Sequence, residues 1–181
     1  MNTEELEYLK YPIGKFRMPE QITMQLLADY ISTLAVFPGR LRREVSFLNE
    51  TQLDTRYRPE GWTIRQVVHH CADSHYTSFT RFKLALTEDK PTIKPYAEER
   101  WAELPDSLLL PVEPSLSILD GLHVRWVFLL NELTSAQLQR CFIHPEKGIE
   151  ISLQTSIGEY AWHCNHHLSQ IMVLKERYNW D

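Results

Sequence analysis

At 181 residues the chain is long enough for one domain with a core of its own, and a hydrophobic share of 43% with 24% charged residues rules out a disordered chain. The net charge of −5 leaves no basic footprint for a nucleic acid. No apolar run approaches the ~20 residues that a membrane span requires. The opening MNTEELEYLKYPIGKF is acidic where a secretory signal is basic. Cys71, Cys141 and Cys164 are odd in number and too few for a disulfide framework, so the expected location is the cytoplasm and the expected organisation a single domain over 1–181.

Four segments carry a helical period. The first spans about Pro19 to Leu48, with Tyr30, Leu34, Phe37, Leu41, Val45 and Leu48 in steps of three and four. That phase continues through Pro38, which predicts a kink and not a break. The second starts at Thr63, where Thr-Ile-Arg-Gln has the form of a capping box, and runs to about Thr87. The connection that follows, EDKPTIKPYAEERWAELPDSLLLPVEP, holds five prolines; it reads as a long crossover with at most a short helix in YAEERWAEL, and as the segment that selects substrate. A third helix opens near Ser115 or Ser117 and carries Leu119, Leu122, Trp126, Leu129 and Leu133. From Cys141 to Gln154, FIHP and IEISL flank Glu-Lys-Gly, the pattern of a small β-hairpin. The fourth helix is expected from Ser156 to about Tyr178.

The second half echoes the first. LNETQLDTRY from Leu48 aligns with LTSAQLQRCF from Leu133, and TIRQVVHHC from Thr63 aligns with SIGEYAWHC from Ser156. The alignment points to two helix pairs related by pseudo-symmetry.

Six of the eight histidines fall in two of these helices: His69, His70 and His75 in the second, His163, His166 and His167 in the fourth. With roughly 100° per residue, counted from Ile64 and from Ile157, His70 and His163 both fall near 240° and His167 near 280°. They occupy the same flank of equivalent apolar faces. His163 and His167 are four apart, the spacing by which a helix offers two imidazoles to one ion, and His70 supplies a third from the neighbouring helix. Three neutral ligands leave the ion its full charge and an open position, for water or for a thiol held as thiolate. A lone helical histidine is ordinarily a surface or core residue; the spacing and symmetry of the trio argue against that here.

The remaining groups receive blander readings. His75 lies within the apolar stripe and is expected to be a buried, hydrogen-bonded residue. His69 and His166 point away from it and are expected in solvent, while His123 and His144 have no assignment. Cys71 and Cys164 read as small apolar packing. Asp73 and Glu159 are near the ligands in sequence, with a solvated helix carboxylate as the default. Trp62, Trp126 and Trp162 read as core or bundle-end packing. There is no H-E-x-x-H, no Walker loop, no Gly-rich dinucleotide fingerprint and no paired Glu-x-x-His, and no catalytic residue is assigned.

PIGKF, GWTIRQVVHHCADSH, RFKLALTE and EYAWHCNHHLSQI together resemble the YfiT-type members of the DinB-like superfamily, over nearly the whole chain. These are bacterial proteins described as metal-dependent hydrolases, related to thiol S-transferases that use bacillithiol or mycothiol. The resemblance implies an all-α, four-helix bundle with a long crossover, with His70, His163 and His167 as metal ligands. It also implies one zinc or nickel ion per chain, a small-molecule substrate, and a cytoplasmic homodimer that engages neither membrane nor nucleic acid. Three functions follow: a hydrolase that activates water, a thiol S-transferase acting on a low-molecular-weight thiol, or a non-catalytic metal-binding bundle.

Overall fold

A computed structural model describes residues 2–146 and 148–180. The chain forms α1 (Thr3–Lys10), α2 (Met24–Val45), α3 (Glu50–Leu53), α4 (Ile64–Thr87), α5 (Glu98–Trp101), α6 (Pro105–Leu109), α7 (Glu113–Asn131), α8 (Ser135–Leu138), β1 (Cys141–His144), β2 (Ile149–Ser152) and α9 (Leu153–Tyr178). The four long helices make the bundle. Helix α2 packs on α9 and α7, and α4 packs on the same two, so α2 lies diagonally across from α4 and α7 from α9. Leu34, Phe37, Phe82, Leu119, Trp126, Ile157 and Ile171 fill the space between them. Among the described residues no helix is long and apolar enough to cross a membrane.

Local chemistry explains the boundaries. Helix α2 starts at Met24, later than the periodicity predicts, because the Thr23 hydroxyl accepts the Leu26 amide. It then runs through Pro38 as one helix. The capping box at Thr63 is present as read: its hydroxyl accepts the Gln66 amide at 3.1 Å and the Gln66 side chain accepts the Thr63 amide at 3.0 Å. Helix α7 begins at Glu113 with Pro114 in its first turn, not at Ser115 or Ser117. Helix α9 begins one turn before Ser156, because Ser152 supplies the cap. Gly158 of α9 faces Tyr30 of α2 so closely that an added Cβ would stand 2.9 Å from the ring. Only glycine allows that approach.

The internal repeat has a structural counterpart. Short helices α3 and α8 occupy aligned positions, and each is closed by a capping box, Asn49 with Gln52 and Thr134 with Gln137. After each comes an antiparallel pairing to the next N-cap residue, Arg56 with Thr63 and Cys141 with Ser152. In the second half that pairing has grown into the expected hairpin, whose turn includes Gly148 at φ 62°. Lys147 of the predicted turn lies outside the described residues. The crossover is not a bare loop: Ile93 and Ile143 stitch its start to β1, and α5 and α6 rest on α4.

Candidate metal centre

Helices α4 and α9 are neighbours, and the N-terminal half of α4 and the middle of α9 bring His70, His163 and His167 together. The three ligand atoms lie within 4.8 Å of one another, the one such group of three among the described residues. Nε2 of His163 stands 3.3 Å from Nε2 of His70 and 3.2 Å from Nε2 of His167. Tetrahedral ligands at Zn–N distances of about 2.0–2.1 Å lie about 3.3–3.4 Å apart, so two of the three spacings already match a divalent ion. Burial is the first cause that holds all three imidazoles well below the usual histidine pKa, with neighbouring histidines adding to it. They are therefore neutral near pH 7, as ligands must be.

Each imidazole has a fixed setting. The Gln170 amide donates through Nε2 to the Lys10 carbonyl at 3.0 Å and to His166 Nε2 at 3.1 Å. Its oxygen therefore faces His167, whose Nδ1–H donates to it at 2.9 Å and leaves Nε2 with its lone pair aimed at the site. Trp62 lies against His70, ring centres 4.6 Å apart. His163 packs against Tyr160, and through Nδ1 it contacts His75 at 3.0 Å. The Ser74 hydroxyl is 3.3 Å from the Tyr160 hydroxyl and 3.5 Å from His163 Nε2.

The trio lines one cavity, and His163 also lines a second. The larger, about 1060 Å³, is lined by Trp62, His70, Trp162, His163 and His167 together with residues 98–100 of the crossover. The smaller, about 590 Å³, lies against Arg81, Tyr96, Glu159, Tyr160 and again His163. Glu98, Glu99 and Arg100 belong to both walls, so the crossover read as the substrate-selecting segment does border the site.

The expectation that His69 and His166 face solvent is wrong: both are buried. His69 donates from Nε2 to the Leu110 carbonyl and accepts the Ser115 hydroxyl at Nδ1, which ties the end of the crossover to α4. His166 stacks on Trp162, centres 4.5 Å apart and planes 15° apart, and its Nε2 accepts the Gln170 amide. A single helical wheel hides such burial, because the covering groups come from the crossover and the N-terminal segment. His75 is buried and hydrogen-bonded as expected, and Cys71 and Cys164 are core residues whose thiol pKa burial pushes up. Asp73 is half-buried, its carboxyl raised to about 6 chiefly by burial. Of the tryptophans, Trp126 is core, whereas Trp62 and Trp162 are walls of the site.

The model of the DinB superfamily matches residues 34–171, a span that holds all three histidines. The chain belongs to the DinB superfamily. A relative from Bacillus mycoides (strain KBAB4), provisionally named a metal-dependent hydrolase, is 54% identical over 95% of this chain and 98% of its own. One from Bacillus cereus (strain B4264), with the same kind of name, is 52% identical over the same shares. Among solved structures, YfiT from Bacillus subtilis, described as a probable metal-dependent hydrolase with an unusual four-helix bundle topology, superposes with a TM-score of 0.94. It is 44% identical, over 96% of this chain and 99% of that one. The buried three-histidine cluster of this DinB-superfamily bundle is thus suited to a divalent-metal active site.

Proposed function

We propose that the protein is a metal-dependent hydrolase of a small-molecule substrate, with one divalent ion, zinc before nickel, held by Nε2 of His70, His163 and His167. The convergence of three neutral imidazoles on an open cleft, two of their three spacings near-tetrahedral, carries this reading. The names of the relatives point the same way. A bound zinc supplies Lewis acidity and a water of pKa about 7.

The chain's own residues supply the rest. Glu98 and Glu99, on the wall shared by both cavities, and Glu159, on the smaller one, offer carboxylates as proton acceptors beside the histidines. Trp62 and Trp162 give the larger cavity apolar surface that holds substrate and limits water. A closed structural site would need a fourth protein ligand, and among the described residues the metal-competent group is three histidines only.

A second reading, thiol S-transfer, draws on Lys10, Arg56 and Arg58, which line the larger cavity and suit an acidic thiol. Glu60, Glu98, Glu99 and Glu103 share that wall and balance these cations together with Arg100, so hydrolysis stands first.

Elemental analysis of tag-free protein beside His70→Ala, His163→Ala and His167→Ala tests the site. One equivalent of metal in the wild type, lost in each folded variant, is the expected result; a content indifferent to the substitutions ends the reading. Loaded protein is then offered esters and amides, and separately thiols with an electrophile. Turnover of the second set alone would move the assignment to S-transfer.

A further inference from the structure

Within an α-helix the carbonyl of residue i accepts the amide of residue i+4, and a proline at i+4 has no amide to give. Pro38 lies inside α2, so the Leu34 carbonyl loses its helical donor at a fully buried position. The structure shows what takes its place. Nδ1 of His123, from α7, lies 2.7 Å from the Leu34 oxygen. Nε2 of His123 lies 2.7 Å from Nδ1 of His75, and Nε2 of His75 lies 3.0 Å from Nδ1 of His163.

A carbonyl can only accept, so His123 must donate from Nδ1. A neutral imidazole that donates from one nitrogen accepts at the other. His123 Nε2 is then an acceptor, which makes His75 donate from Nδ1. His75 Nε2 is an acceptor in turn, which makes His163 donate from Nδ1. The surroundings keep these rings neutral: His75 and His123 are buried against Phe37 and Trp126, where an uncompensated charge is costly. No carboxylate takes part, so the relay adds no negative charge beside the ion.

We propose that Pro38 sets the ligand atom of the metal centre: the carbonyl it leaves open at Leu34 directs donation through His123 and His75, so that His163 presents Nε2 as a bare lone pair. His123 and His75 are positioning residues, and the proposal rests on the reading of His163 as a ligand. The relay and the Gln170 amide then converge, because both His163 Nε2 and His167 Nε2 are unprotonated and stand 3.2 Å apart. Two facing lone pairs repel, and a cation between them removes the repulsion.

The test begins with the metal-free wild type, whose imidazole tautomers are read by long-range ¹H–¹⁵N correlation. Protons on Nδ1 of His123, His75 and His163 are expected; a neutral ring among them protonated on Nε2 overturns the relay. Zinc affinity is then measured by chelator competition. Pro38→Ala restores a donor to Leu34 and favours the helix, so stability should hold or rise while affinity falls about 10-fold, the lower end for a residue that orients a ligand. Unchanged affinity would break the link to Pro38. His123→Gln keeps one donor and one acceptor and should bind within about 3-fold of wild type, whereas His123→Leu should lose about 10-fold or more. Equal losses in the two would overturn the relay. Failure of wild type to bind zinc with the tautomers as expected would refute the metal reading and leave the relay standing.

Discussion

At the scale of single residues, the clustered imidazoles depend on partners elsewhere in the fold: His167 on a Gln170 amide oriented by the Lys10 carbonyl, and His163 on His75 and His123. The clustering of His70, His163 and His167 is legible from angular position, because each projects from a known face of its own helix. Gln170 sits one turn beyond His167, and nothing in the pattern shows that its amide is oriented by the Lys10 carbonyl at the other end of the chain. His123 had no assignment for the same reason: its partner is a backbone atom of α2, freed by a proline 85 positions earlier. Supports of this kind matter to binding, since removal of a group that orients a ligand typically costs 10–100-fold in metal affinity. Gln170→Leu should keep the fold, as the site is buried and leucine is close in volume, while it weakens zinc binding about 10-fold. Competition titration beside circular dichroism checks this, and an unaltered affinity would show that the amide does not orient His167.

At the scale of elements, periodicity placed the four long helices and their apolar faces, while chain punctuation placed both ends of α4 and the C-terminal end of α9 but not the starts of α2, α7 and α9. The start of α9 shows where that signal is ambiguous. Ser152 and Ser156 are both serines ahead of an apolar run, one helical turn apart, so sequence cannot say which is the cap. The hairpin decides it: pairing with Cys141 holds Ser152 in extended backbone at φ −73°, ψ 155°, as an N-cap requires, and Ser156 is carried into the helix and buried. Ser152→Ala should therefore lower unfolding free energy by about 1 kcal/mol. Ser156→Ala, which removes no cap, should leave the urea midpoint near that of wild type. Equal losses at the two positions would contradict the assignment. The crossover was read as long and irregular, which is right in outline. Helix α5 forms within YAEERWAEL, the stretch that reads as a short helix, whereas α6, at five residues, is too short for any period to register.

At the scale of the whole molecule, the bundle concentrates neutral imidazoles to a degree that governs its response to acid. His70, His75, His163 and His167 are all held well below the usual histidine pKa, first by burial, and His123 and His166 are lowered to about 4 for the same reason. In the unfolded chain each titrates near its ordinary value of about 6.5. Above that pH neither state binds the protons and stability is full. As pH falls below about 6.5 the unfolded chain takes up protons that the folded one refuses, so stability declines, and the decline eases only where the folded groups titrate. For His123 and His166 that window runs from about 6.5 to about 4. Asp73 opposes the trend, because its raised pKa lets the folded state bind a proton earlier, but it is one group against seven, since burial lowers His69 as well. Each such histidine contributes a slope of up to about 1.4 kcal/mol per pH unit. The urea midpoint of metal-free protein should thus drop steeply between pH 6.5 and 4.5. Saturating zinc should hold the midpoint higher at the upper end of that range, since an ion bound only by the folded state adds stability by mass action and competes with protons for the same nitrogens. A flat profile in the metal-free protein would mean that these rings reach water when the ion is absent, and would dismantle the picture of a sealed, preset site.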